Sequence, residues 1–144
     1  MSKNSHFKRL EQMYLAAPIN KIFPPKIIIS AAASEIQIDV KPDYFHPAGA
    51  VHGSVIFKLL DDSAFFSANS LEPTVFVLTT SFTTYLTRPV SAGIIRAVGK
   101  VVNQNKTQFI AESIAYDSAG KEIGRGNGIF VRSKIPLAGI PGYH

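Results

Sequence analysis

Two adjacent carboxylates, Asp61 and Asp62, interrupt an otherwise apolar stretch and are the first candidates for chemistry. Between Ser54 and Ser70 the sequence contains no helix breaker, and its apolar residues fall on almost every face, which predicts a helix buried all round. An ionised carboxylate in such a helix is costly unless it is paired or used. Burial raises the pKa of a carboxyl group and makes it a stronger base or nucleophile, so both residues are candidates for acid–base or nucleophilic chemistry.

A loop punctuated by one proline and two glycines precedes this helix and carries two imidazoles, His46 and His52. Gly53 lies at the predicted start of the helix, where unpaired backbone N–H groups coincide with the positive end of the helix dipole. Its N–H can therefore polarise a substrate carbonyl, and the missing side chain leaves room for the substrate to approach.

The remaining sequence predicts the elements that hold this loop and helix. Strand patterns cover Ile27–Ile29 and Ile36–Val40, as one strand or a kinked pair, and a long strand is predicted from Thr74 to Leu86. Three further strands joined by short turns form a meander: Gly93–Val102, Gln108–Tyr116 and Glu122–Arg132. The economical arrangement is an α+β fold in which a curled antiparallel sheet wraps around one long central helix.

The two ends of the chain lie outside this arrangement. Apolar residues at three-and-four spacing predict a short N-terminal helix over 7–17, ended by Pro18. The segment 135–144 has two prolines and two glycines, which predicts a tail that is mobile or ordered only on contact. The chain of 144 residues is therefore predicted to be a single domain with a core of about 27–133.

Composition excludes several classes of function. The sequence has no cysteine, which rules out disulfide scaffolds, thiol nucleophiles and cysteine metal sites. The net charge of +5 comes from scattered Lys and Arg residues, a pattern that suits a small phosphorylated ligand better than a nucleic acid. No apolar run is long enough for a membrane span, so we expect a cytoplasmic protein without a membrane partner.

The stretch Gly49-Ala-Val-His-Gly-Ser-x4-Leu-x-Asp61, together with the order of elements, resembles the hotdog-fold thioesterases, specifically their PaaI-like acyl-CoA branch. The resemblance covers roughly residues 36–132. In that family an Asp or Glu follows the first of two paired glycines by eight residues, and the offset from Gly53 to Asp61 reproduces this spacing, whereas Asp62 does not.

Two further landmarks and two departures complete the comparison with the family. Arg88-Pro89 and the turn Asp117-Ser-Ala-Gly-Lys121 resemble family landmarks in their order and spacing. His46, however, stands where the family usually has Asn or Gln, and Ser54 stands where it has the second glycine. Both departures lie at the expected mouth of the active site.

The resemblance implies an acyl-CoA thioesterase that needs no cofactor apart from the coenzyme A of its substrate. It implies a homodimer or a dimer of dimers with the site at the subunit interface, which agrees with the flank and edge that one helix leaves uncovered. Asp61 would act as base or nucleophile, two roles that remain open, with Gly53 N–H as the oxyanion donor. A thiolate is a good leaving group, so no strong general acid is required.

The resemblance also assigns supporting residues. A Ser or Thr on the next strand, from the other subunit, would position the water; the spacing indicates Thr79, and strand alternation keeps Thr80 as an alternative. His52 either fixes the loop, the preferred interpretation, or donates to the thioester oxygen, while His46 could orient water or the carbonyl. The predicted substrate contacts are Ser54, Phe65, Arg88 and Lys106, with Lys100 and Arg125 as further candidates for the coenzyme A phosphates.

Other interpretations of the same residues are weaker. His46, His52 and an Asp could bind a metal, but their spacing matches no zinc motif, so no metal is predicted. The sequence contains no Gly-x-Ser-x-Gly elbow of a serine hydrolase. Because of the departures at His46 and Ser54, a non-catalytic acyl-CoA or aromatic-ligand binding protein remains the alternative hypothesis. The His and Asp pattern of hotdog dehydratases is not found.

Overall fold

The chain forms one six-stranded antiparallel sheet and two α-helices in the computed structural model, which describes residues 2–144 apart from the side chain of Lys3. The helices are α1 (Lys3–Ala16) and α2 (Gly53–Asn69). Single 3-10 turns cover Pro18–Lys21 and Pro42–Tyr44. The strands are β1 (Pro25–Ser30), β2 (Ala33–Asp39), β3 (Val75–Leu86), β4 (Ile94–Gln104), β5 (Gln108–Tyr116) and β6 (Glu122–Pro136).

The strand order β1-β2-β4-β5-β6-β3 places β3 at one edge of the sheet, because the chain crosses over between β2 and β4 through α2 and β3. All neighbouring strands are antiparallel, and α2 packs across the concave side of the sheet. The predicted α+β class and the curled sheet around a central helix are therefore confirmed. The segment predicted as one strand or a kinked pair forms two antiparallel strands, β1 and β2. They are joined by a tight turn in which Ala32 has a φ of 60°.

Helix α2 lies unusually close to the middle of the sheet. A Cβ on Gly99 of β4 would lie 2.2 Å from the backbone oxygen of Ser63, so only glycine permits this approach. Two buried hydroxyls hold the same turns of the helix: Ser34 Oγ donates to Ser63 O at 2.7 Å, and Ser113 Oγ donates to Leu60 O at 2.8 Å. The turns that carry the two carboxylates are thus fixed to the sheet.

The prediction that α2 is buried all round is wrong for its first three turns. Residues 63–70 are all buried, but a stripe on one face of the earlier turns is exposed or half-buried. This stripe comprises Ser54, Phe57, Lys58, Asp61 and Asp62. Their spacing of three and four residues places them along one side of the helix, so polar side chains reach an open surface and not the core.

Helix α1 begins at Lys3, four residues before the predicted start, and ends at Ala16, one residue before the predicted end. It buries Leu10, Met13 and Tyr14. The tail, predicted to be mobile or ordered on contact, packs on this helix: β6 continues to Pro136, and Tyr143 is buried with its hydroxyl 2.7 Å from His6 Nδ1. No helix within residues 2–144 is long and apolar enough to cross a membrane.

Candidate active site

The two carboxylates of α2 have different surroundings. Asp62 Oδ2 lies 2.7 Å from Lys58 Nζ and accepts a hydrogen bond from the Tyr14 hydroxyl at 2.6 Å. Lys58 Nζ also donates to Asn20 Oδ1 at 2.7 Å and to the Tyr14 hydroxyl at 3.2 Å. We call these four residues, Tyr14, Asn20, Lys58 and Asp62, the Lys58 cluster. Burial, and then the charge of Asp62, raise the pKa of Tyr14, which stays a neutral donor.

Asp61 has no such compensation. Among residues 2–144 no cationic side chain forms an ion pair with its carboxylate, and its recorded side-chain partner is the Thr79 hydroxyl, which donates to Oδ1 at 2.9 Å. Burial raises the pKa of Asp61 to about 6, and the charge of Asp62 adds to this effect, whereas the Thr79 hydrogen bond and Lys58 oppose it. The group is therefore a carboxylate of raised basicity at neutral pH.

The position of Thr79 depends on an irregularity in β3 that alternation alone does not predict. The pairing of β3 with β6 shifts register between Thr79 and Ser81, so Thr80 lies in a bulge and donates to Ile129 O at 3.2 Å. The start of β3 is tied to the end of α2, because Asn69 Oδ1 accepts from Val77 N at 3.0 Å. Of the two candidate threonines, the structure brings Thr79 to Asp61, and it does so within one chain.

Asp61 opens onto a cavity of about 800 Å³ between α2, α1 and the start of β3. Phe65 and Ser54, both predicted to contact substrate, lie on its wall. Thr79 and all four members of the Lys58 cluster also line it, and most of the remaining wall is apolar. The aromatic part is a packed group, since the ring centroids of Phe65 and Phe66, and of Phe65 and Phe76, are 5.0 Å apart.

The start of α2 presents a backbone donor. His52 is the N-cap residue, and its Nδ1 accepts from Ser54 N at 3.0 Å and lies 2.8 Å from Ser54 Oγ. Gly53 N–H donates to no acceptor in the described part of the chain. A Cβ at Gly53 would lie 2.6 Å from Leu86 Cδ1, so β3 lies directly against this end of the helix.

Gly53 and Asp61 are far apart within one chain. The offset of eight residues from one to the other corresponds to about 12 Å along the helix axis. An oxyanion donor and an attacking base must both lie within about 3 Å of the same reacting group. The two residues of one protomer therefore cannot act on the same carbonyl.

The structure places the other predicted residues away from the cavity. His46 Nδ1 accepts from Ala48 N at 3.1 Å and stabilises its own loop. Arg88 and Lys106 are exposed, after β3 and in the β4–β5 turn, and neither lines the cavity. Of the further basic candidates, Lys100 pairs with Glu112 at 3.4 Å and Arg125 pairs with Glu122. The roles assigned to these residues stay predictions.

The sequence analysis missed the Lys58 cluster, although part of it was readable. Lys58 and Asp62 have the i, i+4 spacing of a helical ion pair, and this signal separates Asp62 from Asp61 without a structure. Tyr14 and Asn20 lie more than 35 residues away, so no local pattern indicates them. No group of three His, Cys, Asp or Glu residues that could hold a metal ion occurs in residues 2–144.

Comparisons with known proteins agree with this architecture. The PaaI protein of the phenylacetic acid degradation operon of Escherichia coli superposes with a TM-score of 0.85 at 18% identity, over 93% of this chain and 97% of that one. AziG of S. sahachiroi gives 0.76 at 21% identity, over 81% and 96%. A point mutant of PaaI from Thermus thermophilus gives 0.74 at 20% identity, over 81% and 100%.

Sequence comparison gives the family. No match is found among the sequences of curated proteins. The profile of the thioesterase superfamily, however, matches residues 48–123, which is more than half of the chain and includes α2 and the strands β3, β4 and β5. The predicted resemblance is therefore confirmed: this chain is a hotdog-fold member of the thioesterase superfamily.

Proposed function

We propose that this protein is an acyl-CoA thioesterase in which Asp61 is the base or the nucleophile. The observation that carries the proposal is the contrast inside α2: a carboxylate with a raised pKa and no ion-pair partner faces a large apolar cavity. Membership of the thioesterase superfamily supports the reaction class, and PaaI, whose fold is similar, comes from an operon of phenylacetic acid degradation. The proposed location is the cytoplasm, as expected from the sequence.

The proposed chemistry needs few groups. Asp61 attacks the thioester carbon or takes a proton from a water that does so, and the carbonyl oxygen becomes negative. A backbone N–H at a helix start stabilises this charge, because the donor is unpaired and the dipole is favourable. The tetrahedral species then expels coenzyme A as the thiolate. When water is the attacking group, this step gives the carboxylic acid directly. When Asp61 attacks, it gives a mixed anhydride between Asp61 and the acyl group, which a water molecule hydrolyses to the acid and the free carboxylate.

We further propose that two protomers complete each site, with Asp61 from one and Gly53 from the other. The separation of about 12 Å along one helix requires this division of roles. The edge strand β3 supports it, since twelve residues have a partner strand on one side only and expose Leu78, Tyr85 and Leu86. Two β3 strands paired about a two-fold axis would set the two α2 helices side by side and antiparallel.

Two single variants test this composite site. Asp61→Asn removes the base. Gly53→Pro removes the oxyanion donor at a helical position that tolerates proline, after a residue, His52, already in the extended conformation that proline favours. Gly53→Ala is the matched control, because it keeps the N–H while adding a similar contact with Leu86.

Each variant alone should lose hydrolysis of acyl-CoA, followed by thiol release, while Gly53→Ala retains it. After the two inactive variants are refolded together, half of the random dimers are hybrids with one intact site. The mixture should therefore regain about a quarter of the wild-type activity. No recovery, with hybrids demonstrated by differently tagged chains, would exclude the composite site. No hydrolysis of any acyl-CoA by the wild type, together with tight binding, would favour the non-catalytic alternative.

A further inference from the structure

We propose that the cavity beside Asp61 takes an unsubstituted hydrocarbon acyl group of about eight or more carbons, an inference that rests on the proposed thioesterase function. Two features of the cavity lead to this substrate class, one for the size of the acyl group and one for its lack of polar substituents. The size of the acyl group follows from the length and volume of the cavity, and the lack of polar substituents follows from the hydrogen bonds of its walls.

The cavity is long as well as large. It follows one face of α2 from Ser54 to Phe66, a distance of about 18 Å along the helix axis. About 7 Å of this lies beyond Asp61, towards Phe66, and the space continues there to α1 and to Ile140 of the tail. The volume of about 800 Å³ lies in the upper part of the range of ligand pockets, roughly 300–1,000 Å³, so an acetyl group would leave most of it unfilled.

The polar side chains of the cavity already have partners. The three donors of the Lys58 ammonium point to the three other members of the Lys58 cluster. The amide of Asn20 donates to Tyr14 O at 2.7 Å, the Thr79 hydroxyl donates to Asp61, and the Ser54 hydroxyl lies 2.8 Å from His52 Nδ1. Among the lining side chains described, the second N–H of the Asn20 amide has no partner, but this amide lies beside Lys58 and not in the part of the cavity beyond Asp61.

This arrangement discriminates against polar acyl groups. A hydroxyl that lies against the rings of Phe66 and Phe76, beyond Asp61, would lose its hydration without gaining a hydrogen bond from a lining side chain, which lowers affinity about 10-fold to 100-fold. A terminal carboxylate would in addition meet a cavity whose uncompensated charge is the negative one of Asp61. A hydrocarbon chain meets neither penalty, and it contacts the rings of Phe57, Phe65, Phe66 and Phe76 on the walls.

A series of straight-chain acyl-CoA substrates measures the size of the pocket. From acetyl to octanoyl, kcat/KM should rise about fourfold per added methylene, because each one leaves water for an apolar wall. 8-Hydroxyoctanoyl-CoA should react about 10-fold to 100-fold more slowly than octanoyl-CoA, and suberyl-CoA, with its terminal carboxylate, more slowly still. Equal kcat/KM for acetyl and octanoyl groups, or for octanoyl and 8-hydroxyoctanoyl groups, would overturn the proposal.

A variant in the wall that α1 contributes locates the effect. Ala17 lines the cavity from the end of α1, and its extended backbone accepts a larger side chain. Ala17→Phe should reduce kcat/KM for decanoyl-CoA at least 10-fold more than for butyryl-CoA, since the new ring takes up volume that the longer chain needs. Leu15→Phe is the matched control, because Leu15 is exposed and does not line the cavity. The same loss in both variants would contradict the assignment.

Binding of inert thioethers separates this inference from the proposed reaction. The dissociation constants of S-ethyl-CoA, S-octyl-CoA and S-(8-hydroxyoctyl)-CoA can be measured by calorimetry with the wild-type protein, whether or not it hydrolyses thioesters. Tight binding of the octyl compound and weak binding of the other two would support the pocket even if no acyl-CoA were hydrolysed. Equal affinities would reject the pocket even if hydrolysis were efficient.

Discussion

Asp61 and Asp62 are neighbours in one helix, yet the fold gives them different surroundings. Successive helical residues point about 100° apart, so Asp62 faces α1 and Asp61 faces β3. On the α1 side the carboxylate accepts hydrogen bonds from the Lys58 ammonium and the Tyr14 hydroxyl, and the Asn20 amide accepts from the same ammonium. On the β3 side it meets one hydroxyl and an apolar cavity.

This difference shows that burial alone does not determine whether the charge of a carboxylate is compensated. Both side chains are half-buried, but the compensated one anchors α1 to α2, whereas the uncompensated one keeps a raised pKa. What separates the two residues is the ion pair that Asp62 forms with Lys58 and that Asp61 lacks among the residues described. The comparison therefore predicts that matched substitutions at the two positions change different properties of the protein.

The largest expected effect is on hydrolysis. Asp61→Asn should lower kcat/KM for acyl-CoA by on the order of 10³-fold, because the amide can neither accept a proton nor attack the thioester. Asp62→Asn should lower it less than about 10-fold, since an amide oxygen still accepts from Lys58 and Tyr14. The measurement is thiol release at saturating and subsaturating substrate. Equal losses at the two positions would remove the distinction drawn between the carboxylates.

Much of this arrangement could be predicted from the sequence, because its signals are local. Alternating β-branched residues predict the strands, and the eight-residue offset from Gly53 to Asp61 identifies the family and selects one of the two carboxylates. The same offset, converted to helical rise, already gives the separation of about 12 Å on which the proposed two-protomer site rests.

The remainder depends on contacts between distant segments. The bulge at Thr80 decides that Thr79, and not Thr80, faces α2. The local sequence Thr79-Thr80-Ser81 contains no signal that predicts a bulge there. The closed hydrogen bonds of the Lys58 cluster require α1 to fold back on α2. The cavity likewise has one wall from the tail, at Ile140, so its volume could not be estimated from the sequence.

A smaller effect is expected from the hydroxyl beside Asp61. The Thr79 hydrogen bond lowers the pKa of Asp61 and orients its carboxylate. Thr79→Val, which keeps the shape, should move the midpoint of the pH dependence of kcat/KM above about 6 and reduce activity at pH 7 about threefold to tenfold. Asp62→Asn should move the same midpoint downwards, because the charge of Asp62 raises the pKa of Asp61.

Thr80→Val is the matched control for this measurement, since its hydroxyl bonds to Ile129 O and not to a carboxylate. Its pH profile should coincide with that of the wild type. A midpoint that moves in Thr80→Val, or stays fixed in Thr79→Val, would contradict the placement of the bulge.

The smallest expected effect is on stability, and its sign differs between the two carboxylates. Because the folded-state pKa of Asp61, about 6, exceeds its ordinary value of 3.8, the unfolded chain loses this proton first as the pH rises. The folded state therefore loses stability between about pH 4 and pH 6, by at most about 3 kcal/mol, which solvent screening at this half-buried site reduces to about 1–2 kcal/mol.

Asp61→Asn cannot ionise, so urea unfolding should give a free energy of unfolding about 1–2 kcal/mol above the wild type at pH 7.5 and no such gain at pH 4. Asp62→Asn should be less stable than the wild type at pH 7.5, since the half-buried ammonium of Lys58 loses its counter-ion. If Asp61→Asn were instead the less stable variant at pH 7.5, its carboxylate would be compensated in the folded protein. The presence or absence of an ion-pair partner would then no longer explain why one carboxylate lowers the stability of the folded protein and the other raises it.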